Sequence, residues 1–363
     1  MKVINCYRYV WLLALVAIGC KSGSDRPNHV WAAAQVGQQV GFIDTLGNWI
    51  IEPKFSQLTY FSEGLGRMIL NGKWGFIGTK GEFAIAPAYD NALDFSSGRA
   101  AVKLDSLWGF VDPEGQLVIP CQYRSIRPYF EGKAAVAIND RWTFIDLEGK
   151  PLFEPKFDAA LTFGEGLIAV RDRLGDGRPG KWGFVDERGA WVIPPRYEAV
   201  PGERFRKGTC LVADSSGFYF IDKQGKNTFG RTFYRATDYF SDLAAVLDTS
   251  FRNQLEWGLI DRSGKKVIPP NYEVCDPRGF NQSGRIPVRR GRQFGFIDQR
   301  DSLVIPYRYD GVFPFTFRRS GVYTNGKFGF IDPAGNLVIK PQFDQVLPFH
   351  SSEANAFIEV DRQ

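Results

Sequence analysis

The chain has 363 residues, 44% hydrophobic, 15% aromatic and 23% charged, a globular composition with material for a large core. Its 39 Gly, 21 Pro and 31 Phe point to many short strands and turns and exclude a protein of long helices. A formal net charge of +5 spread along the chain excludes a concentrated nucleic-acid-binding face, and two histidines leave little for histidine-based catalysis.

Residues 1–19 differ from the rest. Lys2 and Arg8 form a positive start, and VWLLALVAI (10–18) is apolar but too short to span a bilayer. Gly19-Cys20 and polar KSGSD follow. Small residues before a lone Cys at the end of such a run resemble the lipobox of bacterial lipoproteins. A standard cleaved signal peptide is the alternative. The resemblance implies that residues 1–19 are removed and that Cys20 carries lipid as the new N-terminus. The mature chain would then be anchored to a membrane, in an outer-membrane setting suggested by Lys21, rather than spanning one. Residues 20–29 read as a short polar linker and 30–363 as one β domain. Cys121, Cys210 and Cys275 remain, an odd number far apart in sequence, and read as buried thiols rather than a disulfide framework.

From residue 30 onward the chain repeats itself. A Gly-aromatic step recurs at Gly41-Phe42, Gly75-Phe76, Gly109-Phe110, Gly183-Phe184, Gly295-Phe296 and Gly329-Phe330, and Gly258-Leu259 is close to it. Degenerate copies at Thr143-Phe144 and Tyr219-Phe220 make nine, with a tightest period of 34 residues. Each copy approximates W-G-F-I-D-x-x-G-x-x-V-I-x-P-x-Y-D, then a Phe, a Gly and an A-x-V strand. This pattern resembles the WG-repeat (KWG-type) family of bacterial proteins over residues 30–361. The resemblance implies a β-rich repeat fold, often of surface or envelope proteins, and no defined reaction.

One unit, AAVKLDSLWGFVDPEGQLVIP (100–120), predicts three strands joined by two tight turns. Asn71-Gly72 and Asn325-Gly326 are strong hairpin signals. In the second turn, the Asp at 44, 112, 146, 186, 222, 261, 298 and 332 accepts from backbone N–H groups two residues on, with Gly78 in its place in the second copy. The Phe of the connector folds back over the sheet. A lone meander buries too little, so the units stack. The expected fold is all-β: nine three-stranded meanders in an open twisted solenoid, with the C-terminal strand AFIEV (356–360) as a cap. A closed propeller is the alternative, disfavoured because nine units exceed the usual range.

Eight equivalent Asp residues argue for turn geometry rather than catalysis. Trp74, Trp108, Trp142, Trp182 and Trp257 read as core, with sugar-stacking platforms as the sharper alternative. GDGRPG (175–180) satisfies G-x-G-x-x-G but is followed by a strand, which fails the dinucleotide context, and its loop lacks calcium-loop spacing. No P-loop, metal site or cofactor site is expected. Function is sought in the segments that differ between copies: 171–181, 201–208, 247–256 and 283–293. Their arginines, Arg171, Arg173, Arg178, Arg204, Arg206, Arg285, Arg289, Arg290 and Arg292, are the candidate partner-binding residues. The expected function is a non-enzymatic, envelope-anchored scaffold that binds a protein. A peptidoglycan or glycan-binding module is the second reading, and an enzyme in the irregular middle copies the third.

Overall fold

The computed structural model describes residues 30–351, apart from 176, 241, 250–252, 279 and the side chains of 58, 281 and 282. The described residues form nine small antiparallel sheets in chain order. We number them sheet 1 (residues 30–55), 2 (57–89), 3 (91–123), 4 (126–157), 5 (159–197), 6 (199–233), 7 (235–272), 8 (274–309) and 9 (311–343). Sheet 3 shows the regular plan, with strands Asn91–Ala92, Ala100–Leu104, Leu107–Val111 and Leu117–Tyr123 side by side. No helix among the described residues is long and apolar enough to cross a membrane.

The repeated glycine decides how closely the fourth strand can lie. In seven sheets, a Cβ on the glycine of the Gly-aromatic step would come within 2.7 Å of a carbonyl oxygen on that strand; at Gly109 the oxygen is that of Ile119, 2.5 Å away. The side-chain-free position lets the bulged outer strand press onto its neighbour. Sheets 4 and 6 carry Thr143 and Tyr219 there, and in both the ladder contracts to two strands flanked by isolated bridges. The Thr143 hydroxyl donates to the Phe153 carbonyl at 2.5 Å, taking the place of the close backbone approach.

The D-x-x-G turns form as expected. Asp44 Oδ1 accepts from the N–H groups of Leu46 and Asn48, both at 2.9 Å, and Asp332 does the same with Ala334 and Asn336. In sheet 2, where Gly78 replaces Asp, the Glu82 carboxylate takes over by accepting from Lys80 N–H. The turn glycines adopt left-handed φ, +79° at Gly81 and +87° at Gly335, and press on an isoleucine of the preceding sheet, Ile51 and Ile305 respectively.

These contacts run round a ring. The connector Phe packs on the third-strand Phe of the preceding sheet, with centroids 4.6–5.0 Å apart in Phe42–Phe61, Phe76–Phe95, Phe110–Tyr129, Phe184–Phe205, Phe220–Tyr239 and Phe296–Phe315. Phe330 of sheet 9 makes the same pair with Phe349, 4.9 Å away. Phe349 belongs to the segment that joins sheet 1, where Ala34 pairs with Val346 and Trp31 with His350. A buried cluster of Ala32, Ala34 and Ile43 with Phe330, Ile339 and Phe343 then seals sheet 9 against sheet 1.

The open solenoid is therefore overturned, and the molecule is a closed β-propeller. Nine stacked sheets left open would have eight interfaces and two wet apolar ends; here the described residues form nine apolar clusters, one at every interface. Burying both end faces outweighs the slowly growing cost of closing a long loop. The first meander was not complete by itself: residues 345–351 supply its inner strand. The expected cap at 356–360 lies outside the described residues.

Two predictions follow from this packing. Gly109→Ala forces a Cβ against the Ile119 carbonyl and is expected to cost about 1–3 kcal/mol, read as a lower denaturant midpoint. Gly175→Ala, which meets nothing within 4 Å, is expected to leave the midpoint unchanged. The second concerns the seam. His350 Nε2 accepts from Phe61 N–H at 2.9 Å, and burial pushes the imidazole down to about 4 from an ordinary 6.5. The folded state holds the neutral ring, so stability is full above pH 6.5 and declines as pH falls toward 4, by on the order of 3 kcal/mol. His350→Gln keeps an acceptor without titrating, and its stability is expected to be flat over that window in urea titrations.

Candidate interaction surface

The ring has two rims. Neighbouring sheets that radiate from a centre are closest at their inner edges. Fourth strands such as Leu117–Tyr123 are largely exposed and reach the next sheet only through long side chains, whereas backbone and short side chains at the first strand and its loop bond from sheet to sheet. Thr59 Oγ1 donates to Asp94 Oδ1 at 3.2 Å, Gly98 N–H to Glu63 Oε2 at 2.9 Å, and Gly208 N–H to Glu165 Oε2 at 3.0 Å. The first strand is thus the inner one. One rim, the turn rim, carries the first-to-second-strand loops and the D-x-x-G turns. The other, the hairpin rim, carries the second-to-third-strand hairpins and the connectors.

The two longest hairpins rise from the hairpin rim in sheets 5 and 7, where Arg173 pairs with Pro179 and Thr249 with Leu255, and they flank the reduced sheet 6. The 201–208 segment instead runs along the inner strand of sheet 6, and 283–293 runs the length of a strand in sheet 8. That strand, Ile286–Arg290, places Arg285 on the turn rim and Arg290 with Arg292 on the hairpin rim, about 16 Å away at 3.3 Å per residue. What sequence presents as one basic cluster is two.

The nine expected arginines have different tasks. Arg171 and Arg289 occupy equivalent strand positions and lie over the aromatic ring opposite, Trp182 at 5.1 Å and Phe294 at 5.9 Å, as Lys103 lies over Trp108. Arg173 pairs with the connector Asp158 at 2.5 Å. Arg204 reaches over Gly164 to stack on Phe130 of sheet 4, 3.7 Å from the ring centroid, and burial pushes its guanidinium down to about 10. Arg206 pairs with Asp238, whose carboxyl is pushed up by burial against the pull of that arginine. Arg285 Nε donates to the Pro333 carbonyl of sheet 9 at 2.9 Å. Arg178, Arg290 and Arg292 are exposed on the hairpin rim.

Trp74, Trp108, Trp142, Trp182 and Trp257 are half-buried and pack against the inter-sheet cores, as the core reading expects. Cys210 and Cys275 are buried, with thiols pushed well up by burial, and Cys121 is half-buried. Among the described residues no group of three or more His, Cys, Asp or Glu side chains is arranged to hold a metal ion. Cys20 lies outside the described residues.

One feature of the turn rim went unnoticed in the sequence. The inner loop turns through two left-handed residues, Glu63-Gly64 in sheet 2, Ser97-Gly98 in sheet 3, Glu131-Gly132 in sheet 4, Glu165-Gly166 in sheet 5 and Lys207-Gly208 in sheet 6. Sheet 9 places Phe317 (φ 47°) and Arg318 (φ 60°) there, both exposed. A left-handed non-glycine residue costs about 1–2 kcal/mol, and a bulky aromatic is an outlier. The signal available was the loss of Gly from the loop after Phe315.

A closed ring of repeated β-meanders defines a β-propeller. The chain belongs to the WG containing repeat family, whose pattern matches residues 41–74, 74–108, 108–142, 142–173, 182–213, 257–291, 294–323 and 328–361. Among solved structures, "Crystal structure of the eukaryotic initiation factor" is similar in fold, with a TM-score of 0.59 at 12% identity over 90% of this chain and 99% of that one. Citrobacter koseri AztD gives 0.38 at 14% identity over 89% and 97%. No curated protein sequence is similar enough to count as a relative.

Arg206→Ala strands the buried Asp238 carboxylate and is expected to destabilise the ring by about 3–5 kcal/mol, whereas Arg292→Ala at the hairpin tip is expected to change stability by less than about 0.5 kcal/mol. Chemical denaturation of the two variants distinguishes a structural arginine from a surface one.

Proposed function

We propose that the chain is a non-enzymatic scaffold for protein binding, held at a bacterial cell envelope by a lipid on Cys20. The observation that carries the reading is the division of labour between residues. The repeated Gly, Asp, Phe and Trp are engaged by the ring itself, and the residues that vary, above all the hairpins of sheets 5 and 7, stand on exposed rims. A second reading, glycan binding, draws on Trp191 at 43% exposure and Tyr234 at 62%, which could stack on sugar rings.

Replacing residues 173–179 by an Asn-Gly turn like that at 71–72 is expected to abolish crosslinked capture of the envelope partner while the melting curve is retained. Capture that survives this replacement and the loss of the sheet 7 hairpin would remove the hairpin rim from the proposal. Salt-resistant co-sedimentation with peptidoglycan sacculi, lost on Trp191→Ala, would favour the glycan reading instead. Cys20→Ala is expected to release the protein from membranes.

A further inference from the structure

We propose that the hairpin rim between sheets 1 and 2 is a socket for a tryptophan or tyrosine side chain of a partner polypeptide. The inference rests on the protein-binding reading and names the partner's anchoring residue and its place.

The socket follows from one departure from the repeat. The residue just before the Gly-aromatic step pairs with the aromatic that ends the fourth strand, as Trp74 does with Tyr89 and Phe294 with Tyr309. In sheets 2–9 that residue is one of the five repeated tryptophans or, in the remaining three, Phe218, Phe294 or Phe328. The tryptophans are half-buried and pack on the core shared with the following sheet, Trp74 against the cluster that includes Ala92 and Trp182 against the one that includes Val200. Sheet 1 has Val40 there, opposite Phe55. A depression of about 340 Å³ stands between sheets 1 and 2 at this place. Its buried lining includes Ala33 and Val40, with Leu347 half-buried beside them.

The polar lining departs from the repeat as well. Gln57 and Gln345 are exposed at the mouth and hold the first position of the inner strand in their two sheets, where five of the other seven sheets carry Ala, Ser, Val or Gly. Gln35 lies opposite Gln345 and, across the hairpin, opposite Val40. Its equivalents Lys103, Arg171 and Arg289 cover the ring facing them, so sheet 1 lacks both the ring and the cation. Among the described residues the carboxamides of Gln57 and Gln345 make no hydrogen bond, and Gln35 engages only Nε2, which donates to the Gly37 carbonyl at 2.8 Å. Eight sheets show that an aromatic ring fits this place, and the carboxamides say which ring. A carboxamide oxygen accepts from an indole N–H or a phenol O–H, and the remaining amide groups suit the flanking peptide backbone. No charged residue lines the depression to attract a carboxylate or phosphate. Trp and Tyr seated in such pockets carry a large share of the energy of protein interfaces.

The test uses the mature chain from residue 20 and its V40W variant, which puts back the residue of the repeat. V40W is expected to melt at a higher temperature, because the gap is filled. A random twelve-residue peptide library selected on the parent chain is expected to yield peptides that share one Trp or Tyr. Their affinity should fall at least tenfold in V40W, and as much when that aromatic is replaced by Ala. The double variant Q57A/Q345A should keep the parent melting curve and bind at least threefold more weakly, whereas R292A on the sheet 8 hairpin should bind as the parent does. A lower melting temperature for V40W would mean that the place does not admit a ring and would overturn the proposal. So would peptides without a shared aromatic, peptides indifferent to V40W, or no enrichment. Oligomers of N-acetylglucosamine that bind the parent and not V40W, while no aromatic peptide is selected, would put a sugar ring in the socket and equally overturn it. If V40W still captures the crosslinked partner and the hairpin replacement does not, the socket fails while the scaffold reading stands.

Discussion

The absence of a side chain at one position in seven of the nine meanders controls the whole ring. A backbone carbonyl of the outer strand sits where a Cβ would be, so the fourth strand can dock only over glycine. Docking of that strand places the Ile of V-I-x-P against the turn glycine of the following sheet, as Ile51 lies under Gly81 and Ile119 under Gly149. One glycine therefore sets the thickness of a sheet, and the second transmits that position to the next sheet. Where Thr143 or Tyr219 replaces the first glycine, the outer segment bows away, and the aliphatic contact is replaced by a larger ring: Gly189 meets Phe153, and Gly264 meets Phe229. The bigger side chain fills the space left by the looser strand, which is how two irregular units are tolerated within a closed circle.

Closure follows from the same equivalence. Because an apolar cluster of the same plan recurs at each interface, with an aromatic pair at seven of the nine, sheet 9 presents to sheet 1 the face that sheet 1 presents to sheet 2. Leaving those faces apart would expose Ala32, Ala34 and Phe330, all fully buried here, to water. The chain enters the ring through the second strand of sheet 1 and leaves through its first, so both ends are tied into one sheet. His350 sits at that junction between Tyr60 and Phe61, with its ring held neutral by burial, which makes the seam sensitive to acid.

Much of this architecture can be read from the amino-acid sequence, because its signals are local and repeated nine times. The hairpins at Asn71-Gly72 and Asn325-Gly326, the Asp turns, the connector Phe and the core placement of the tryptophans all depend on contacts within one unit or with its neighbour. Closure is different in kind. The rotation from sheet to sheet is a small angle that no single unit spells out, and nine such angles must sum to a full turn. The arginines were hard to place for a related reason. Arg285 and Arg290 are five residues apart in the chain, but a strand carries them to opposite rims, and Arg206 looks like a surface charge until Asp238 is found buried beside it.

A ring of near-identical units also gives a way of separating structural from functional departures. In such a molecule the repeated residue is close to the stability optimum at its position, so any departure should either be reused by the fold or reduce stability. Arg171 and Arg289 are reused, each covering a half-buried aromatic. Asp301, at φ 62° where other sheets have the turn glycine, is reused as well: it accepts from the Tyr272 hydroxyl of the preceding sheet. Gly164 departs in the opposite direction, and its missing side chain is the gap through which Arg204 reaches Phe130. Phe317 and Arg318 are a departure of backbone conformation, since both hold the left-handed φ that five other sheets assign to a pair ending in glycine.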